Sequence, residues 1–266
     1  MRNSLIIKEI ERWGPNRFAA IDTDNAAHMV VAWRLVLEKS PKMVDVRCMM
    51  HAFSTCMGSL LGHQWAQRLI KRVQDIITVI RASTDQKFLE EIAKSMGIAH
   101  MLIISNKTRF TSVCASVESV LWLQLALQEL AQQHPECLTD QLLDWFSNDM
   151  FFIMIKQLCK ILEPFTLVIQ AVQAACASLA DVTRYWLYLA KMMSQLPFQS
   201  IDSALRKWCC IAFNMRQAEM LSPMCKLALF LHPRYRDALA DSSSLWEEFC
   251  GGWYAVAASW QASRPG

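Results

Sequence analysis

Residues that break helices are scarce in this chain, with seven glycines and eight prolines among 266 residues. Few breakers combined with plentiful Leu, Ala, Met and Gln favour a mainly helical protein. Charge of one sign is lacking too. The formal net charge is +3 and charged residues make up 19%, which excludes a disordered polyelectrolyte. So mild a balance neither requires nor excludes a nucleic-acid partner, because a local patch matters more than the total. Cations pair at Lys71-Arg72, Lys107/Arg109, Arg206-Lys207 and Arg234/Arg236, and no basic block resembles a disordered nucleic-acid arm.

Long apolar runs are also missing. The opening MRNSLIIKEIERWG carries a charge every few residues and holds no apolar segment of the kind a signal peptide needs. The most apolar region, from Phe151 to Ala180, is interrupted by Lys156, Lys160, Glu163 and Pro164. It reads as a buried helix pair and not as a membrane span. No internal repeat has a fixed period, which argues against a solenoid.

What is present is apolar side chain, 53% of the residues, enough for a real core in one large or two smaller domains. Of the ten cysteines, Cys114, Cys159, Cys176 and Cys225 fall in helix-like apolar stretches, where a free thiol packs as a small hydrophobe. That context points to a reduced, intracellular compartment and not to a disulfide framework.

Along the chain, Leu5 to Trp13 has a helical apolar stripe that Gly14-Pro15 stops. Arg17 to Thr23 reads as a short strand, Asn25 to Glu38 as a helix, and Met43 to Arg47 as a second short strand. A strand, helix, strand unit of this kind usually pairs its strands in parallel. After Cys48 the pattern turns helical, with stretches near 49–62, 64–82, 85–96, 111–133, 138–147, 149–176 and 178–195. Met101 to Ser105 is a third strand or an extended connector, and Pro164 is expected to kink or divide its helix. Another helical region follows Gln199 to Ser203, and a last one covers Ser244 to Trp260.

Four polar stretches carry candidate chemistry. Asp24 follows the first strand and opens a helix. It can cap that helix, or it can offer a carboxylate to Mg²⁺ at the strand tip as part of a site. Cys48 and His51, in CMMH, are spaced as half a zinc site. No second close pair completes it, so a structural zinc is not expected. NKTRFTS, 106–112, is either a helix start capped by Thr108 or Thr111, or an aromatic flanked by Lys107 and Arg109. In the second case Phe110 stacks on an unpaired base while the cations hold phosphates. LHPRYRD, 231–237, leaves Arg234 and Arg236 on a turn with the same ambiguity.

Taken in order, TDNAAHM, CMMHAF, TRF and LFLHPRY resemble the central region of hAT-superfamily DNA transposases, in the variant found in plants and fungi. The likeness runs from about Leu5 to Asp237. It implies a truncated RNase H-like α/β fragment over 1–47 and a large helical insertion domain over 48–266, hence a mainly α chain. By the resemblance, Asp24 is one catalytic, metal-holding acid, with Mg²⁺ as the implied cofactor. Cys48 and His51 lie near the active centre, and Phe110 stacks against bases. DNA, bound weakly through Lys107, Arg109, Arg234 and Arg236, and a transposase-like protein are the implied partners. The implied location is nuclear.

The sequence departs from that family at two of its three catalytic acids. The strand that carries the first acid lies upstream of the helix at Leu5, which only four residues precede here. The late acidic pair Glu247 and Glu248, in WEEFCGGW, lacks a recognisable match. His28 stands where the family usually has Asn. Two-metal chemistry needs several carboxylates, so the expectation is an incomplete or decayed transposase that keeps a DNA-binding surface. The alternative is a domesticated helical protein-interaction module without nuclease activity.

Overall fold

The computed structural model describes residues 2–23, 27–83, 85–106, 110–174, 177–195 and 203–235. Among the described residues the chain is mainly helical, with one parallel pair of strands. It divides into two compact units. One comprises Met1–Phe53, Gln170–Tyr188 and Asn214–Gly266, and the other Ser54–Ile169 and Leu189–Phe213.

The first unit opens with α1 (Arg2–Trp13), β1 (Ala20–Thr23), α2 (Ala27–Lys39) and β2 (Val44–Arg47). Gly14 takes a positive φ of 89°, which ends α1 at a conformation open mainly to glycine. Pro15 then begins a short 3₁₀ turn, Pro15–Arg17, so the strand starts later than its apolar run suggests. The strands pair in parallel, from Ala20 with Val44 to Thr23 with Arg47. Ile10, Ile21, Trp33, Val36 and Met43 form the buried cluster that joins α1, β1 and α2. The Trp33 indole N–H donates to Thr23 Oγ1, which satisfies a polar atom that burial would otherwise strand.

α3 (Met49–Leu61) leaves this unit's first segment, and the start of α10 (Leu179–Gln195), the end of α11 (Ser203–Met220) and α12 (Pro223–Leu231) supply its later helices. Phe53 packs on Trp186 with ring centroids 4.5 Å apart, both fully buried. Thr183 is buried, and its hydroxyl lies 3.0 Å from the Leu179 carbonyl and 2.8 Å from that of Cys225. Its single proton is therefore shared between α10 and α12.

The second unit holds the rest of α3, α4 (Gln64–Ala82), α5 (Asp85–Ser95), α6 (Phe110–Trp122), α7 (Gln124–Gln133), α8 (Asp140–Ser147), most of α9 (Asp149–Val172), the end of α10 and the first part of α11. α4 buries Ala66, Leu69, Val73, Ile76, Ile77 and Ile80, the three-and-four spacing of one helical face. The single helix expected over 111–133 is two, bent by 54° at Leu123. The bend lets Val117 and Val120 before it, and Ala126, Leu127 and Leu130 after it, all be buried. α9 continues undivided through buried Pro164. The helix donor lost there would have served the carbonyl of Lys160, an exposed position that water can reach.

Residues 101–105 form the extended connector and not a third strand. Side chains satisfy this backbone where a neighbouring strand would otherwise do so. Arg81 Nη1 donates to the Leu102 carbonyl at 3.0 Å, and the Ile103 N–H donates to Ser119 Oγ at 3.0 Å. Among the described residues, no single helix is long and apolar enough to cross a membrane.

Candidate functional site

Three places bear on the residues singled out in the sequence. The first is the tip of β1. Ile21 is buried and Asp22 exposed, so β1 alternates across its two faces as a strand must. The Cys48 N–H donates to the Thr23 carbonyl at 3.0 Å, and the Ala52 N–H donates to the Cys48 carbonyl at 3.0 Å. Cys48 thus extends the ladder past β2 and then caps α3. His51 follows one helical turn later and is half-buried. Asp24, the next residue after Thr23, lies outside the described residues. Among the described residues, no group of three or more His, Cys, Asp or Glu side chains could hold a metal ion.

The second place surrounds Phe110, at the start of α6. Ser112 Oγ donates to the Asn106 carbonyl at 2.9 Å and accepts from the Asn106 N–H at 2.8 Å. This reciprocal pair ties Asn106 to the first turn of α6. Lys107, Thr108 and Arg109 themselves lie outside the described residues. Phe110 is 38% exposed, and the far end of its ring rests on the backbone of α3. A Cβ at Gly58 would stand 2.6 Å from Phe110 Cζ, so only glycine leaves room for the ring there.

At the next residue, the Trp208 indole N–H donates to the Ser59 carbonyl at 3.0 Å. Its Cζ2 lies 3.9 Å from where a Gly62 Cβ would be, and its centroid is 5.7 Å from that of His63. Trp208 is 42% exposed. Two half-exposed aromatic rings therefore rest on the Gly58 and Gly62 stretch. Sequence reasoning missed Trp208. The signal that could have found it is GSLLG, 58–62, with glycines four apart in a helical stretch, where small residues admit a close neighbour.

The third place is the HPRY turn. Ser178 and Asp181 form a capping box at the start of α10. Asp181 Oδ2 accepts from the Ser178 N–H at 2.9 Å and from Ser178 Oγ at 2.7 Å, and the Asp181 N–H returns to Ser178 Oγ at 3.2 Å. The Tyr235 hydroxyl donates to the other carboxylate oxygen. That bond, with the Ser178 donors, holds the Asp181 carboxyl down at about 2. In turn the carboxylate raises the Tyr235 hydroxyl. The His232 ring stacks on Tyr235 at 4.7 Å, and the Arg184 guanidinium lies 5.4 Å from the Tyr235 centroid. The turn therefore anchors the end of α12 to α10 within the first unit. Arg234 stays exposed, while Arg236 lies outside the described residues.

The structure thus joins the β1 tip to Cys48 and places Phe110 in the second unit and Arg234 in the first. No protein-family model, curated protein or solved structure matches this chain.

Proposed function

We propose that this chain is a transposase-derived, DNA-binding protein of hAT type that does not cut DNA by itself. The observation that carries the reading is the hydrogen bond from the Cys48 N–H to the Thr23 carbonyl. It brings the beginning of CMMH to the strand end that Asp24 follows, the neighbourhood that the order of these motifs implies. Asp24 is then a remnant metal-binding acid. Mg²⁺ there would complete its shell with phosphate and water oxygens, and a second carboxylate from a partner would be needed for two-metal chemistry.

DNA contact rests on phosphate-facing cations and on an aromatic surface. The exposed part of Phe110 is available to stack, and its tip is fixed against Gly58. Arg234 is exposed for a phosphate. The second reading, a helical protein-interaction module, is favoured by one observation: the HPRY turn is engaged in holding α10 through Tyr235 and Asp181. That is an architectural use of a motif otherwise read for DNA.

The test is fluorescence anisotropy with labelled single-stranded and duplex oligonucleotides at several salt concentrations, beside a cleavage assay in Mg²⁺ and Mn²⁺. Expected are salt-sensitive binding and no cleavage. Phe110→Ala should lose about 5- to 150-fold in single-strand affinity, from the usual worth of one stacked base, with thermal melts alongside to separate that loss from lost packing on Gly58. Metal-dependent cleavage abolished by Asp24→Ala would overturn the view of an incomplete enzyme. No binding to either oligonucleotide would overturn DNA binding and leave the interaction module.

A further inference from the structure

Trp208 belongs to none of the recognised motifs, yet the fold sets it where such a ring has a use. Its indole edge is held on α3 by the N–H bond to the Ser59 carbonyl. Phe110 is held on the same helix by its ring tip over Gly58. Gly58 and Ser59 are neighbours in the last turn of α3, so the two rings are held on the same turn. Both rings keep a large uncovered fraction, 42% for Trp208 and 38% for Phe110. Two exposed aromatics on one short stretch put apolar ring surface beside solvent.

The charges around the pair point to the kind of partner. Arg206 and Lys207, both exposed, directly precede Trp208 on α11. α3 carries no charged residue, and the first acid in α6 is Glu118, two turns beyond Phe110. Within α11 the one acid is Glu219, eleven residues past Trp208, and Asp202, just before the helix, lies outside the described residues. Aromatic rings beside cations suit a polyanion that also has flat apolar faces, which is a single-stranded nucleic acid.

We propose that Trp208 and Phe110 form a two-ring platform that stacks neighbouring bases of one single strand, with Lys207 meeting a phosphate beside it. The inference rests on the DNA-binding reading and extends it to a residue that the family resemblance does not supply. Stacking is tolerant of sequence because every base has a π face, so the platform would select single strands over duplex and not one sequence over another.

The experiment is anisotropy with a labelled 15-mer of thymidine and with a 15-base-pair duplex, on the full chain and its variants, with thermal melts alongside. Trp208→Ala should weaken binding of the single strand by about 5- to 150-fold and leave duplex binding and the slope of affinity against salt unchanged. Trp208→Phe, which keeps a ring but loses the bond to Ser59, should retain most of the affinity. Lys207→Ala should act oppositely, lowering the salt slope by about one phosphate contact. Loss in Phe110→Ala with Trp208→Ala equal to wild type would overturn the platform and leave the DNA-binding reading standing. Equal losses on single strand and duplex for Trp208→Ala would overturn it as well, since stacking cannot explain them. Failure of the wild type to bind either oligonucleotide would overturn the platform together with the reading beneath it.

Discussion

Replacing Tyr235 by Phe removes one hydroxyl and little else, and its effect should depend on pH. An unperturbed Asp titrates near about 3.9, whereas Asp181 is held at about 2, first by the Tyr235 hydroxyl and then by Ser178. A depressed folded-state pKa means that the carboxylate stabilises the fold above its unfolded value. The contribution is then lost as pH falls from about 4 through about 2. A deeply buried group shifted that far would contribute about 2.6 kcal/mol. Asp181 is only partly shielded from solvent, so screening reduces the expectation to ~1 kcal/mol. Tyr235→Phe gives up the largest of the causes and should cost roughly 0.5–1 kcal/mol at neutral pH. The cost should shrink toward zero near pH 2. Urea unfolding of both proteins at pH 6 and pH 2.5, with NMR titration of the Asp181 carboxyl, measures both quantities. A cost that is the same at both pH values, or an Asp181 titration unmoved by the substitution, would refute the reasoning.

Two further outcomes follow from other groups. Burial raises the Glu118 carboxyl, and the like charge of Glu163 raises it further. Ionised Glu118 therefore opposes folding at neutral pH, and Glu118→Gln should raise Tm at pH 7 by more than at pH 4. Neighbouring thiols on α11 should differ sharply. Burial pushes the Cys209 thiol up to about 12, while Cys210 is exposed. Only the thiolate alkylates, and a thiol at that value is ionised in roughly one molecule in ten thousand at pH 8. Mass spectrometry after iodoacetamide should find Cys210 modified in the native protein and Cys209 only after unfolding.

Much of the fold was legible because its signals are local. The three-and-four spacing of Leu69, Val73, Ile76 and Ile80 marks α4, and Gly14-Pro15 marks the end of α1. The parallel pairing of β1 with β2 followed from strand, helix, strand order and short connections. What stayed hidden depends on partners distant in sequence. The bend at Leu123 has no Gly or Pro to announce it, and comes from the need to bury apolar faces on both sides. Met101 to Ser105 has a strand's composition, but Arg81 and Ser119 supply its hydrogen bonds, and nothing in five residues foretells that. The same holds at the candidate site. CMMH could be read as a unit, whereas its link to Thr23 needed the fold. Trp208 had no motif at all, and its place on the Ser59 carbonyl spans 149 residues of sequence. Tyr235 read as part of a basic turn, because its partner Asp181 lies 54 residues earlier.

The division of the first unit among three separate stretches has a consequence for how the protein is made. Its opening stretch ends at Phe53, and the next stretch begins only at Gln170. At typical translation speeds the ribosome takes roughly 6–24 s to bridge that interval. Throughout that time the faces of Phe53 and its neighbours have no Trp186 to cover them. Tyr235, which secures Asp181, is synthesised later still. The long middle stretch of the second unit, Ser54–Ile169, is complete well before then. The face around Phe53 is thus made long before the helix that covers it, and during synthesis it offers a chaperone a persistent apolar target.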